Sequence, residues 1–123
     1  MNIPAILDRA ATVIEKNGHH KGDYFDEKQA GDLVIYTSEC RVCALGAIIV
    51  GAGGNPLNGL LGTDSEPAAR DAARAFALHL HNVEATASDS IKLVGDWNDA
   101  PERTAEDVTT RLRACAASLR AAA

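Results

Sequence analysis

A compact, mainly helical α+β domain, with four to five helices and one β-hairpin after the first helix, is the fold class this sequence predicts. Apolar residues recur at three- and four-residue steps in several segments, and cap and stop residues bound those segments. One β-branched and aromatic run, residues 33–37, breaks that pattern and reads as a strand. A chain of 123 residues suits a single domain over 1–123, able to bury one modest core without staples. Its 46% hydrophobic content is weighted to Ala, with two Phe, two Tyr and one Trp, so its helices must pack by close backbone approach.

The first helix is expected to start after Asn2 as cap, with Pro4 in its first turn and Gly18 as its stop. Ile3, Ile6, Leu7, Ala10, Val13, Ile14 and Asn17 form one stripe. Residues 19–39 are polar at first, then carry Tyr24-Phe25 and the run 33–37; these two are the expected arms of a hairpin over about 23–38. A second helix is expected to open at Cys40 or Arg41 and to run to about Val50, where Gly51-Ala52-Gly53-Gly54-Asn55-Pro56 ends it.

After a loop with Leu57, Leu60 and Leu61, a third helix starts near Ser65-Glu66-Pro67. Ala69, Ala72, Ala73, Phe76, Leu80 and Val83 share one face of it. Ser88-Asp89-Ser90 reads as the cap of a short turn with Ile91, Leu93 and Val94, and 97–101 as a loop. Thr104 and Asp107 form a capping box for the last helix, whose stripe is Val108, Leu112, Cys115 and Leu119. Residues 121–123 are expected to fray.

Charge narrows the function classes. Residues 1–99 hold 8 Lys/Arg against 14 Asp/Glu, and the whole chain carries −5, which disfavours general binding to phosphate backbones. No apolar run approaches the length of a membrane span. Three cysteines and an N-terminus with no apolar leader fit a cytoplasmic protein with free thiols.

The residues able to carry chemistry centre on Cys40-Arg41-Val42-Cys43. Two thiols at i and i+3 beside a helix start can chelate a metal or form a redox pair, and a helix N-terminus favours thiolate. Buried free cysteines packed among Ala44, Gly46, Ala47 and Gly51 are the favoured reading. A zinc site would recruit His19 and His20 to Cys40 and Cys43, at a spacing unlike familiar fingers. A nucleophilic Cys43 would use His19 or His20 as base, oriented by Asn98 or Asp99.

Other candidates are weaker. His79 and His81, at i and i+2 of a helix, cannot share an ion, and Cys115 lies in a core stripe. The Gly51–Asn55 segment ends a helix, so it is a turn and not a phosphate cradle. Trp97 with Asn98 and Asp99 is either a core plug with a bonded turn or a ligand-facing group, and Leu78 falls on a wet helix face, where it suits a partner contact.

Cys43-Ala44-Leu45-Gly46-Ala47-Ile48, Trp97-Asn98-Asp99 and Arg103-Thr104-x-x-Asp107-Val108 together resemble a family of small domains of unknown function from actinobacteria and their phages. Where that family has Gly-Trp-x-x-Gly, this chain has Gly18-His19-His20-Lys21-Gly22. The resemblance implies the architecture and no activity. The expected function is therefore a small non-enzymatic binding or accessory protein. It would contact a protein partner, or itself, through the hairpin and the Gly-rich loop, with Trp97, Asn98, Asp99 and Leu78 as binding residues. No cofactor, nucleic acid or membrane is implied. The alternatives are a thiol-dependent enzyme centred on Cys43 and a zinc-stabilised module.

Overall fold

Asn2 accepts the Ala5 N–H at 2.8 Å and so starts α1, Ile3–Asn17, which ends at Gly18 with φ +104°. That stop takes the chain out of α1 into a loop that pairs with residues 41–43. The computed structural model describes residues 2–33 and 36–123, except for the side chains of Asp32 and Leu33. Five further helices follow: α2 Glu27–Leu33, α3 Ala44–Gly51, α4 Pro67–His81, α5 Ala87–Asp99 and α6 Ala105–Ala122. Two 3-10 turns, Thr37–Glu39 and Pro56–Asn58, flank α3 along the chain.

The expected α+β class with a β-hairpin is corrected: among the described residues there are six α-helices and no strand. Two local effects outweigh the β signal. Asp26 Oδ1 accepts from the Lys28 and Gln29 N–H groups at 3.1 and 3.3 Å, which caps a run of good helix formers and makes α2 where the turn was expected. Phe25 does pair in extended form, but through one isolated antiparallel bridge to Val42, which His19 meets from the other side by a parallel bridge. Of the proposed second arm, Leu33 closes α2, 34–35 lie outside the described residues, and Thr37 opens a 3-10 turn.

The central element is α3. Its sequence ALGAIIVG is apolar all round, as a helix enclosed by others must be. It packs against α1, α4 and α5, while α1 also carries α6 along most of its length and α4 pairs with α5. A Cβ at Gly51 would stand 2.8 Å from the Ile6 carbonyl oxygen and 3.1 Å from the Ala10 nitrogen, so α1 and α3 touch backbone to backbone there. A Cβ at Gly46 would collide with the carbonyl of Tyr24, which seals the 18–26 loop onto α3. The core is accordingly built from small and branched side chains around one large ring, that of Phe76.

Two further boundaries differ from expectation. The helix expected to open at Cys40 or Arg41 opens at Ala44, because the backbone of residues 41–43 donates to or accepts from the loop 18–26. The short turn expected near Ile91 is the 13-residue α5, capped by Thr86, so Trp97, Asn98 and Asp99 are helical. Ser90, Val94 and Asn98 are buried along one face of it, and tertiary contacts carry the helix through residues whose local preferences favour turns.

Candidate functional site

Backbone pairing first brings the loop 18–26 to the start of α3. Val42 N–H donates to the Gly18 carbonyl (3.1 Å), His20 N–H to the Val42 carbonyl (2.9 Å) and Cys43 N–H to the Tyr24 carbonyl (3.2 Å). Arg41 closes the outer side with an ion pair to Asp26 at 3.1 Å.

Asn98, fully buried near the C-terminus of α5, then ties three segments together. Its Oδ1 accepts from the Ala44 N–H at 3.0 Å and lies 2.7 Å from His19 Nε2. Because Oδ1 can only accept, His19 Nε2 is the donor. The Asn98 amide nitrogen donates to the His20 carbonyl (3.1 Å) and to Asp99 Oδ1 (3.0 Å), and the Gly22 N–H donates to the same Asp99 oxygen at 3.0 Å. Lys21 Nζ lies 2.7 and 3.2 Å from the carbonyl oxygens of Ala100 and Pro101 just past α5. Buried groups with this many partners act as a latch: they hold the loop, the start of α3 and the end of α5 in one register.

Cys43 is the N-cap of α3. Its sulfur accepts from the Gly46 N–H at 3.4 Å, and it is 5% exposed. Burial pushes this thiol up to about 11; the Gly46 and Leu45 N–H groups oppose that rise, and the Asp99 carboxylate adds to it. Cys40 is fully buried and donates toward the Tyr36 carbonyl at 3.6 Å, with its thiol also raised, first by burial and then by Asp26 and Glu39. Cys115 sits in the core with its sulfur 3.8 Å from the Ala75 carbonyl oxygen, and burial lifts it to about 11.

His19 therefore meets Asn98, and the polar partner of Cys43 is a backbone N–H. His20 enters the latch through its backbone. Among the described residues no three His, Cys, Asp or Glu side chains are grouped as a metal ion would require. His79 and His81 close the last turn of α4, and burial lowers His79, with Arg111 adding to the effect.

Trp97 packs edge-on against Phe76, with ring centroids 5.6 Å apart, and the Arg103 guanidinium lies 4.4 Å from its ring centre. Arg103 Nε also donates to the Trp97 carbonyl at 3.0 Å, so this ring joins α5 to α4 and to the turn before α6. Leu78 is exposed, beside a shallow groove with Ile3, Arg74 and Glu84.

A cleft of about 190 Å³ opens beside the latch. The buried Cys43 and Leu45, with the half-buried Tyr24, Ile91 and Gly95, form most of its wall, and the exposed carboxylates Asp23 and Asp99 stand over it. Sequence reasoning named Cys43 and Asp99 and missed Tyr24, Asp23 and Gly95. The glycine was a usable signal: in a helix it costs stability, and here it leaves open the space that a side chain would fill.

Three of the exposed large apolar side chains lie elsewhere. Tyr36, Leu57 and Leu61, 77%, 67% and 61% exposed, lie on or next to the two 3-10 turns, which contact one another and are joined by a Thr37 to Asn55 side-chain hydrogen bond of 2.6 Å.

Comparison with curated proteins and with solved structures finds no match. The model of a family of unknown function, DUF6197, matches residues 1–118. That span holds the latch, the cleft and all but the end of α6, and the chain belongs to the DUF6197 family.

Proposed function

We propose that this chain is a small non-enzymatic binding protein that docks a protein partner through the end of the molecule bearing Tyr36, Leu57 and Leu61. One observation carries the reading: three large apolar side chains stand in water on or beside two short turns that contact each other. A monomer gains nothing in stability from that arrangement, and a partner would cover it. The expected docking through the hairpin and the Gly-rich loop thereby shifts to the 3-10 turns that occupy those segments. The exposed carboxylates of Glu39 and Asp64 border the same end, so a partner with an apolar knob and a basic rim fits better than a second copy, whose carboxylates would repel.

The polar residues at the latch support a binding role over catalysis. Asn98 and the backbone groups around it spend their hydrogen bonds on one another, and the Cys43 thiol is held neutral at physiological pH. The resemblance of the 43–48 and 97–99 motifs to small actinobacterial and phage domains supports an accessory role in such a cell, in its cytoplasm.

A photo-crosslinker at Leu57 tests this in the native host, followed by purification of the captured polypeptide and titration against the pure chain. The expected result is saturable binding that weakens at least tenfold in Leu57→Asp/Leu61→Asp and falls with added salt. Absence of a reproducible cross-linked partner, or binding indifferent to those substitutions, overturns the proposal.

A further inference from the structure

We propose that the cleft between the start of α3 and the last turns of α5 is a binding site for a small organic ammonium ligand that carries an oxygen acceptor, such as a short amino alcohol. Its lining includes two carboxylates, Asp23 and Asp99, and no cationic side chain. The nearest lysine along the chain, Lys21, is spent on the carbonyls of Ala100 and Pro101. The α3 N-terminus would favour an anion, but its first N–H groups are occupied. Ala44 gives its own to Asn98, Gly46 to the Cys43 sulfur and Ala47 to the Cys43 carbonyl, and that of Leu45 also acts on the Cys43 sulfur. The field that remains in the cleft is that of the two carboxylates.

A second observation points to the acceptor. Each of the three buried thiols has a hydrogen-bond partner, but Cys40 and Cys115 reach backbone carbonyls, whereas Cys43 only accepts. Among the described residues the S–H of Cys43 has no acceptor, although its side chain is nine-tenths buried and lines the cleft. A ligand oxygen placed there would take that proton while the ammonium meets Asp99 and its short stem lies on Leu45 and Ile91. The size agrees: about 190 Å³ admits a few heavy atoms and excludes a nucleotide or a peptide side chain with its backbone.

The site is independent of the docking surface at Tyr36, Leu57 and Leu61, since it shares no residue with it. Two substitutions isolate it without threatening the fold. Asp99→Asn keeps an oxygen to accept from Gly22 and Asn98 and removes only the charge. Gly95→Ala adds a methyl whose nearest neighbour is Leu45 Cδ1 at 4.0 Å, ordinary contact distance, so it narrows the cleft without a clash.

The experiment is a titration of the full chain with 3-amino-1-propanol, followed by amide chemical shifts, with 1,3-propanediol and 3-hydroxypropionate as neutral and anionic controls. Saturable shifts at Gly22, Leu45 and Gly95 are expected, with a Kd on the order of 1 mM. The diol should bind at least tenfold more weakly, the acid not at all, and both variants at least tenfold more weakly than the parent chain. Equal binding of diol and amine, undiminished binding by Asp99→Asn, or the absence of saturable shifts in this cleft would each overturn the assignment.

Discussion

At the scale of single residues, Asn98 is where most of the tertiary organisation converges. Its carboxamide meets the Ala44 N–H, the His19 ring, the His20 carbonyl and Asp99, all within 2.7–3.1 Å. Asn98→Ala would strand a buried backbone donor and open a cavity at once. A loss of about 2–4 kcal/mol is expected, measured by urea unfolding. Asn98→Asp would keep the acceptor but set a second oxygen against the His20 carbonyl and the Asp99 carboxylate in a buried site, and is expected to cost at least as much.

Cys43 yields a prediction with a definite sign. Its thiol and that of Cys115 are raised to about 11 in the folded chain, above the ordinary thiol range, mainly by burial. The unfolded chain therefore loses these protons first as pH rises. Stability is fully present below the ordinary thiol value and declines as pH climbs from there toward 11. Urea midpoints should fall across that interval, and fall less steeply in Cys43→Ala; a flat profile would show that burial does not set these thiols. Iodoacetamide should label Cys43 slowly at neutral pH in the native chain.

At the scale of elements, the glycines divide into those that close packing requires, such as Gly46 and Gly51, and those that it does not, such as Gly95. Gly46 and Gly51 let the 18–26 loop and α1 approach α3 within less than a side chain's reach. Gly51→Ala would drive a Cβ against two α1 backbone atoms and should cost about 1–3 kcal/mol. Gly95→Ala meets open space in a helix interior and should stabilise by about 0.5–1 kcal/mol, as thermal or urea unfolding would show. Opposite signs for the same chemical change are the diagnostic outcome.

The same scale explains which elements could be read in advance. α1 and α6 carry their own instructions: Asn2, Pro4 and Gly18 for one, and the Thr104–Asp107 capping box for the other. α2 and α5 did not announce themselves. The tendency of 33–37 toward strand competes with the Asp26 cap and the helix formers behind it, and the cap prevails over 27–33. In α5, Gly95, Asp96 and Asn98 favour a break locally, and burial of Val94 and Asn98 with the partners of Asn98 on other segments keeps the helix going.

Across the whole molecule, the chain's two ends depend on each other. α6 lies along α1, and Arg113 and Arg120 reach Glu15 and Asp8 across that seam at 2.6 Å. Val108, Leu112 and Ala116 of α6 are buried, so a chain ending at Ala100 would leave the apolar face of α1 open to water. That truncation is expected to lose the dispersed amide spectrum of the full chain; a folded fragment would show that α1, α3, α4 and α5 suffice on their own.

Local chemistry in the sequence was enough to determine the capped helices α1 and α6, the core position of Cys115, and an Ala- and Gly-rich core, because caps, periodicity and side-chain size act within a turn or two of chain. The convergence of His19, Ala44 and Asn98, the cleft beside Cys43 and the meeting of the two 3-10 turns were decided only by the tertiary structure. Those contacts join residues 20 to 80 positions apart. Hydrogen bonds and burial across such separations depend on how the helices pack, which no short window of residues encodes.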